Sequence, residues 1–238
     1  MPVISFVSPK GGAGKSTAAL LLATELAQKG ARVSVIDADP LGWISDWGSK
    51  PDKPRNLEIL PKPTEETVID QIEAAQQRSQ FVIVDLEGTA NMLVAFAISQ
   101  SDLVVIPTQP SHMDGRGAAQ AIKLIKQQEK AMRRSIPYAV LFTRAKAAIR
   151  TRSQGNIEAQ LKNAEIPVFQ TQLLEREAYR SIFSFGGTLK QLPANTYKLD
   201  DAIKNARAFV GEVISLVTAH RNAEKRGSRA DEAQEEMA

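Results

Sequence analysis

Apolar residues along this chain fall in short β-branched runs that alternate with longer stretches at helical spacing. The pattern predicts strands at 3–8, 32–37, 57–60, 81–85, 103–107 and 138–143, with a short one near 167–170. It predicts helices at 16–29, 65–77, 91–100, 115–132 and 153–163, and near 176–184 and 200–221. The strands at 81–85 and 103–107 are nearly continuous apolar runs, as in strands covered on both faces. Alternation of this kind argues an α/β fold, a mostly parallel β-sheet flanked by helices on both faces. Gly30 stands where the first long helix should stop. One domain is expected over 1–220. From about Arg221 the chain is charged and nearly free of large apolar residues, which reads as a disordered tail or a frayed helix extension.

The first predicted strand runs into Lys10-Gly11-Gly12-Ala13-Gly14-Lys15-Ser16-Thr17, and a predicted helix follows. Strand, glycine-rich loop and helix in that order form a phosphate cradle. Glycines let the backbone curl so that successive N–H groups face an anion, and the helix N-terminus adds its dipole. The usual loop reads G-x-x-x-x-G-K-[ST]. Gly14, Lys15 and Ser16 fit its end, but Pro9 replaces its first glycine and Lys10 brings a second cation. Lys15 offers a point charge to β/γ-phosphates, and Ser16 offers a hydroxyl to Mg²⁺. Asp37, Asp39 and Asp85 fall at or just past the carboxyl ends of predicted strands, the edge where such sheets bind ligands. Taken singly, each aspartate could equally cap a turn. Together with the loop they favour a site.

These segments resemble those of the ParA/MinD ATPases, P-loop NTPases with a deviant Walker A motif K-G-G-x-x-K-[ST]. Val33-Ser-Val-Ile-Asp37-Ala-Asp39-Pro40 resembles the family's D-x-D-P segment, and Phe81-Val-Ile-Val-Asp85-Leu-Glu-Gly88 its Walker B strand and turn. The resemblance implies ATP and Mg²⁺ as cofactors. The nucleotide would be held by Gly11, Gly12, Ala13, Gly14, Lys15, Ser16 and Thr17, and the metal by Ser16, Asp37 and Asp85. It implies catalytic roles for Lys15, for Asp39 as the group orienting the attacking water, and for Lys10. Lys10 would reach the partner's nucleotide across an ATP-dependent homodimer; the alternative is charge neutralisation within its own subunit. Thr143 and Arg144 lie where family members contact the base, and so does the segment from Gln172 to Arg180. The chain also departs from the family. Leu41 stands where Gln usually follows D-x-D-P, and Leu86-Glu87-Gly88 puts a carboxylate at the Walker B turn, where Glu87 is a second candidate to orient water. Such departures suggest a divergent plasmid or DNA-transfer branch.

Composition narrows the choice. The absence of cysteine excludes disulfides, thiol catalysis and cysteine-ligated clusters, and with them the nitrogenase iron-protein branch of the superfamily. Two histidines, His112 and His220, are too few for a zinc site. No long apolar run spans a membrane, and Met-Pro leading straight into a strand predicts no signal peptide. Net charge is only +3, yet from Lys130 to Arg152 seven basic residues occur with no acidic one: Lys130, Arg133, Arg134, Arg144, Lys146, Arg150 and Arg152. A one-sign run of this kind suits phosphate-backbone contact, with Arg144, Lys146, Arg150 and Arg152 as the DNA-binding candidates; the alternative is a solvated basic face. The expectation is a cytoplasmic, nucleoid-associated, weak Mg²⁺-dependent ATPase. It would bind duplex DNA with little sequence specificity, be reset by a ParB-like adaptor, and partition plasmid or other DNA. A MinD-like membrane switch, a DNA-transfer accessory ATPase and a dethiobiotin-synthetase-like ligase are the alternatives. The tail lacks the apolar helix face a membrane switch needs.

Overall fold

A computed structural model of the chain describes residues 1–88, 91–145 and 152–235. Seven strands form one sheet: β1 Val3–Phe6, β2 Val33–Ala38, β3 Leu57–Pro61, β4 Phe81–Leu86, β5 Leu103–Thr108, β6 Tyr138–Ala145 and β7 Leu173–Leu174. Their order is β3-β2-β4-β1-β5-β6-β7, and every pairing is parallel. The helices are α1 Lys15–Gln28, α2 Trp43–Gly48, α3 Val68–Arg78, α4 Met92–Ser99, α5 His112–Met132, α6 Arg152–Asn163, α7 Glu177–Phe185 and α8 Leu199–Glu235, with a 3₁₀ turn at Leu189–Gln191.

The strands read as unbroken apolar runs because alternate residues enter two different cores. Val33 and Val35 of β2, Ile83 of β4, and Leu103 and Val105 of β5 pack on one face with α1, α2, α7 and α8. Ile36 and Ala38, Val82 and Val84, and Val104 and Ile106 pack on the other with α3 to α6. This parity decides the site. Asp37 and Asp85 continue the Val33–Val35 and Ile83 rows and therefore face α1. Two serines inside the sheet are paired, Ser5 with Ser101 at 2.6 Å and Ser34 with Ser79 at 2.7 Å.

The α/β expectation holds, with three differences in detail. The stretch after Asp39 contains a short helix, α2. Its entry is set by Gly42 in the left-handed region, φ 64°, and by the Asp37 carboxylate, which accepts from Ser45 N at 2.7 Å. Neither feature has a periodic signature. The last strand falls at Leu173–Leu174; the predicted 167–170 segment contributes only a single bridge, Val140 to Val168. Finally, α8 runs as helix to Glu235, through the segment that reads in sequence as a disordered tail or a helix extension. Among the described residues no helix is long and apolar enough to cross a membrane.

Trp47 of α2 is fully buried, and its Nε1 donates to the Gly187 carbonyl at 3.0 Å, tying α2 to the turn after α7. Trp47→Ala should cost about 3–5 kcal/mol. Urea unfolding should show a lowered midpoint at unchanged slope; an unchanged midpoint would mean that α2 is not part of the cooperative core.

Candidate functional site

The loop leaves β1 and enters α1 through Gly14, whose φ of 93° is left-handed; Gly12 is left-handed as well, at 76°. Both positions therefore need glycine. No side chain caps α1, so the N–H groups of its first turn remain available to an anion. Two contacts hold the loop from outside. Gln109 Nε2 donates to the Gly12 carbonyl at 2.9 Å, and Thr143 Oγ1 donates to the Ala13 carbonyl at 2.7 Å. In a trans peptide the N–H points opposite to the carbonyl, so these contacts aim the N–H groups of Ala13 and Gly14 away from the sheet's β5–β6 side. The turn after β4 presses on the same loop. A Cβ on Gly88 would lie 3.3 Å from the Pro9 carbonyl oxygen, which explains the glycine there. Lys15 is buried, whereas Lys10 is half-buried at the loop's start.

Asp37 and Asp85 are register partners on adjacent strands and are both buried. Ser45 donates to Asp37 Oδ2 from its N at 2.7 Å and its hydroxyl at 2.6 Å. Asp37 Oδ1 and both oxygens of Asp85 have no hydrogen-bond partner. Burial pushes Asp85 up to about 7; Ser16 draws it down, Asp37 raises it, Lys15 lowers it and Asp39 raises it. The Ser16 hydroxyl is near enough for that effect without the geometry of a hydrogen bond. Burial also raises Asp37, against the two bonds from Ser45. Two buried carboxylates with three orphaned oxygens, beside a serine hydroxyl and a lysine, fit a hard divalent cation. Among the described residues no three His, Cys, Asp or Glu side chains cluster to hold a metal by themselves. This donor set suits Mg²⁺, which keeps waters and shares phosphate oxygens.

Asp39 sits past the strand end, half-exposed. Its Oδ1 accepts from Leu41 N at 3.0 Å, an Asx turn. Glu87 is engaged differently: its Oε1 accepts from Asn91 Nδ2, while Asn91 Oδ1 caps α4 by accepting from Val94 N at 2.9 Å.

On the far side of the loop, one pocket is lined by Gly14, Thr17, Thr143 and Arg144 together with Leu173 to Arg176, Tyr179 and Arg180. The two segments singled out in sequence for base contact thus lie side by side in a single cleft, since Thr143 pairs with Leu173. Arg144 lies at a register shift between Thr143↔Leu173 and Ala145↔Leu174, with a left-handed φ of 50°. A bulge there turns Arg144 out beside the pocket.

Among the described residues the basic run is spread along the length of β6. Arg134 near the end of α5 donates to the Ser99 and Ser101 carbonyls at 2.9 and 2.7 Å, a structural use. Lys130, Arg133 and Arg134 precede β6 and Arg144 lies near its end, separated by an eight-residue strand of roughly 25 Å. Lys146 and Arg150 lie outside the described residues, and Arg152 opens α6. Arg176 and Arg180 are ion-paired with Asp201 and with Glu175 and Glu177.

Sequence reasoning passed over Gln109, Ser45 and Asn91, and named Tyr179 only within the Gln172–Arg180 segment. Gln109 immediately follows β5, so the rule that ligands bind beyond strand ends would have found it. Ser45 and Tyr179 lie on helices and acquire their roles only from the fold.

The profile of the VirC1 protein family matches residues 1–198. Protein ParA of Rhizobium radiobacter is 39% identical over 218 residues, covering 92% of this chain and 98% of that protein. Protein virC1 of Rhizobium rhizogenes is 28% identical, over 76% and 80% of the two chains. Among solved structures, apo McdA of Cyanothece superposes with a TM-score of 0.70 at 19% identity, over 87% of this chain and 99% of that one.

The folded pKa of Asp85 lies above its ordinary value of 3.8. Between that value and about pH 7 the folded state holds a proton that the unfolded chain releases. The stability this group confers is therefore present at low pH and lost as pH rises through 7, and Asp37 acts in the same sense. Asp85→Asn should flatten this slope and stabilise the ligand-free protein by roughly 2 kcal/mol at about pH 8. It should also remove any Mg²⁺-dependent stabilisation by ATP. Thermal melts across pH, with and without Mg-ATP, check both effects; a variant melt that keeps the wild-type slope would assign the pH dependence to other groups.

Proposed function

Because the chain belongs to the VirC1 family, and with it to the ParA/MinD group of P-loop ATPases, we propose that it is a ParA-like Mg²⁺-dependent ATPase that dimerises on ATP and moves DNA. One observation carries the nucleotide reading: Asp85, with both oxygens unpartnered, lies beside Lys15 and Ser16 at the uncapped N-terminus of α1. The loop N–H groups, Lys15 and Thr17 bind the phosphates. Ser16, with Asp37 and Asp85 behind it, holds the cation, which when bound neutralises charge on the β/γ-phosphates. Asp39 orients the attacking water. Glu87, whose Oε1 accepts from Asn91, is the second candidate for that role. Lys10 supplies charge in trans when two ATP-bound copies meet. Support for such a meeting comes from the loop after Asp39, which carries two strongly exposed apolar side chains, Leu41 and Trp43, beside the site.

DNA contact falls to Arg144, Lys146, Arg150 and Arg152, the part of the basic run that follows the carboxyl end of β6. Backbone contacts of this kind are weakly sequence-specific. A ParB-like adaptor would reset the switch on the nucleoid, in the cytoplasm. The cargo of such a switch is a plasmid or another DNA segment to be partitioned. A second reading, a DNA-transfer accessory ATPase, is favoured by the VirC1 match itself, which extends over 1–198.

Asp39→Ala should keep ATP affinity and lower turnover at least about tenfold, leaving a persistent ATP-bound dimer. Phosphate release and light scattering with Mg-ATP read the two effects. Unchanged turnover removes Asp39 from the role, and loss of turnover in Glu87→Ala alone transfers it to the Walker B turn.

Arg150→Ala combined with Arg152→Ala should weaken binding equally on unrelated duplexes. The slope of log affinity against log salt should flatten by roughly two, at about 0.9 per phosphate contact. Fluorescence anisotropy over a salt series with ATP measures it. Wild-type binding by the double variant would make these arginines a solvated face; loss on one duplex alone would mean base readout.

A further inference from the structure

The far wall of the pocket opposite the phosphate loop is held by a side chain remote from every motif. Asn205, on α8, makes three hydrogen bonds. Its Oδ1 accepts from Leu174 N at 3.0 Å and from the Tyr179 hydroxyl at 3.1 Å, and its Nδ2 donates to the Gln172 carbonyl at 2.8 Å. Leu174 and Tyr179 both line the pocket. Two turns along the same face of α8, Glu212 accepts from Gln170 N at 2.7 Å and Thr171 N at 2.8 Å. One face of α8 thus clamps the backbone from Gln170 to Leu174.

The clamp matters because β7 has little else to hold it. It is two residues long, lies at the sheet edge, and pairs with β6 across the irregularity at Arg144. So short an edge strand is marginal on its own ladder bonds. Tyr179 also depends on α8, since its hydroxyl reaches the Ala202 carbonyl at 2.9 Å as well as Asn205. None of these bonds touches the loop from Lys10 to Thr17.

We propose that Asn205 is a positioning residue that sets the wall against which the base and ribose pack, so that it controls affinity for the nucleoside and not for the phosphate chain. This rests on the nucleotide reading above. An apolar side chain of similar size removes all three bonds. Asn205→Asp keeps the two accepting bonds but sets its second oxygen against the Gln172 carbonyl. Tyr179→Phe deletes the hydroxyl's contacts with Asn205 and Ala202 and leaves the ring in place.

The test is calorimetric titration of the full chain, with Mg²⁺, by ATP and separately by inorganic tripolyphosphate. For Asn205→Leu, ATP affinity should fall about tenfold and tripolyphosphate affinity should stay within about twofold of wild type. Asn205→Asp and Tyr179→Phe should lose about threefold for ATP alone, and they carry the test should Asn205→Leu fail to fold. Unchanged ATP affinity in all three variants overturns the proposal. So does an equal loss for both ligands, which would make Asn205 a general fold residue, or a wild type that binds ATP no better than tripolyphosphate. Wild-type protein that binds neither ligand overturns the nucleotide reading itself, a distinct failure.

Discussion

Two carboxylates sit side by side in the sheet with water excluded, and the architecture around them is arranged to make that tolerable. Asp37 and Asp85 face the same helix because both continue the row of β2 and β4 residues that packs on α1. Burying each carboxylate is costly, and the raised pKa of each records that desolvation, with the charge of Asp37 adding to it at Asp85. What offsets it is local: the two bonds from Ser45 to Asp37, and Lys15 near Asp85 at the head of α1. A divalent cation with a polyphosphate would complete the same balance. Binding and folding are therefore coupled through one pair of side chains.

The loop and the carboxylates form one side of the proposed nucleotide site, and a second set of elements builds the other. β6, β7 and α7 line the cleft proposed for the base, and α8 braces it from behind through Asn205 and Glu212. The two sides meet at Thr143. Its hydroxyl fixes the Ala13 carbonyl while its strand neighbour Arg144 bulges out beside the cleft.

The departures from the family pattern acquire physical meaning in this frame. Glu87 accepts from Asn91 at the start of α4, while the half-exposed Asp39 accepts from Leu41 N just past β2. Leu41, where the family usually has glutamine, adds apolar surface next to that carboxylate.

Much of this was legible in the sequence. The β-branched runs, the order of strand, loop and helix, and aspartates at strand ends follow from local periodicity and from the few residues able to cradle phosphate. Lys15, Ser16, Asp37 and Asp85 could be named on that basis, because the sheet's two-residue repeat carries Asp37 and Asp85 to the α1 face. Contacts distant along the chain decided the rest. Gln109 and Thr143 steer a loop about a hundred residues away. The basic run, continuous in sequence, is divided by the length of β6, and Arg134 is consumed by carbonyls that no local rule indicates. Asn205 resembles any polar residue of an amphipathic helix until the fold brings Leu174, Gln172 and Tyr179 to it. Periodicity records which face of an element is buried; it does not record what lies across from that face, and that is where the base-side half of this site is made.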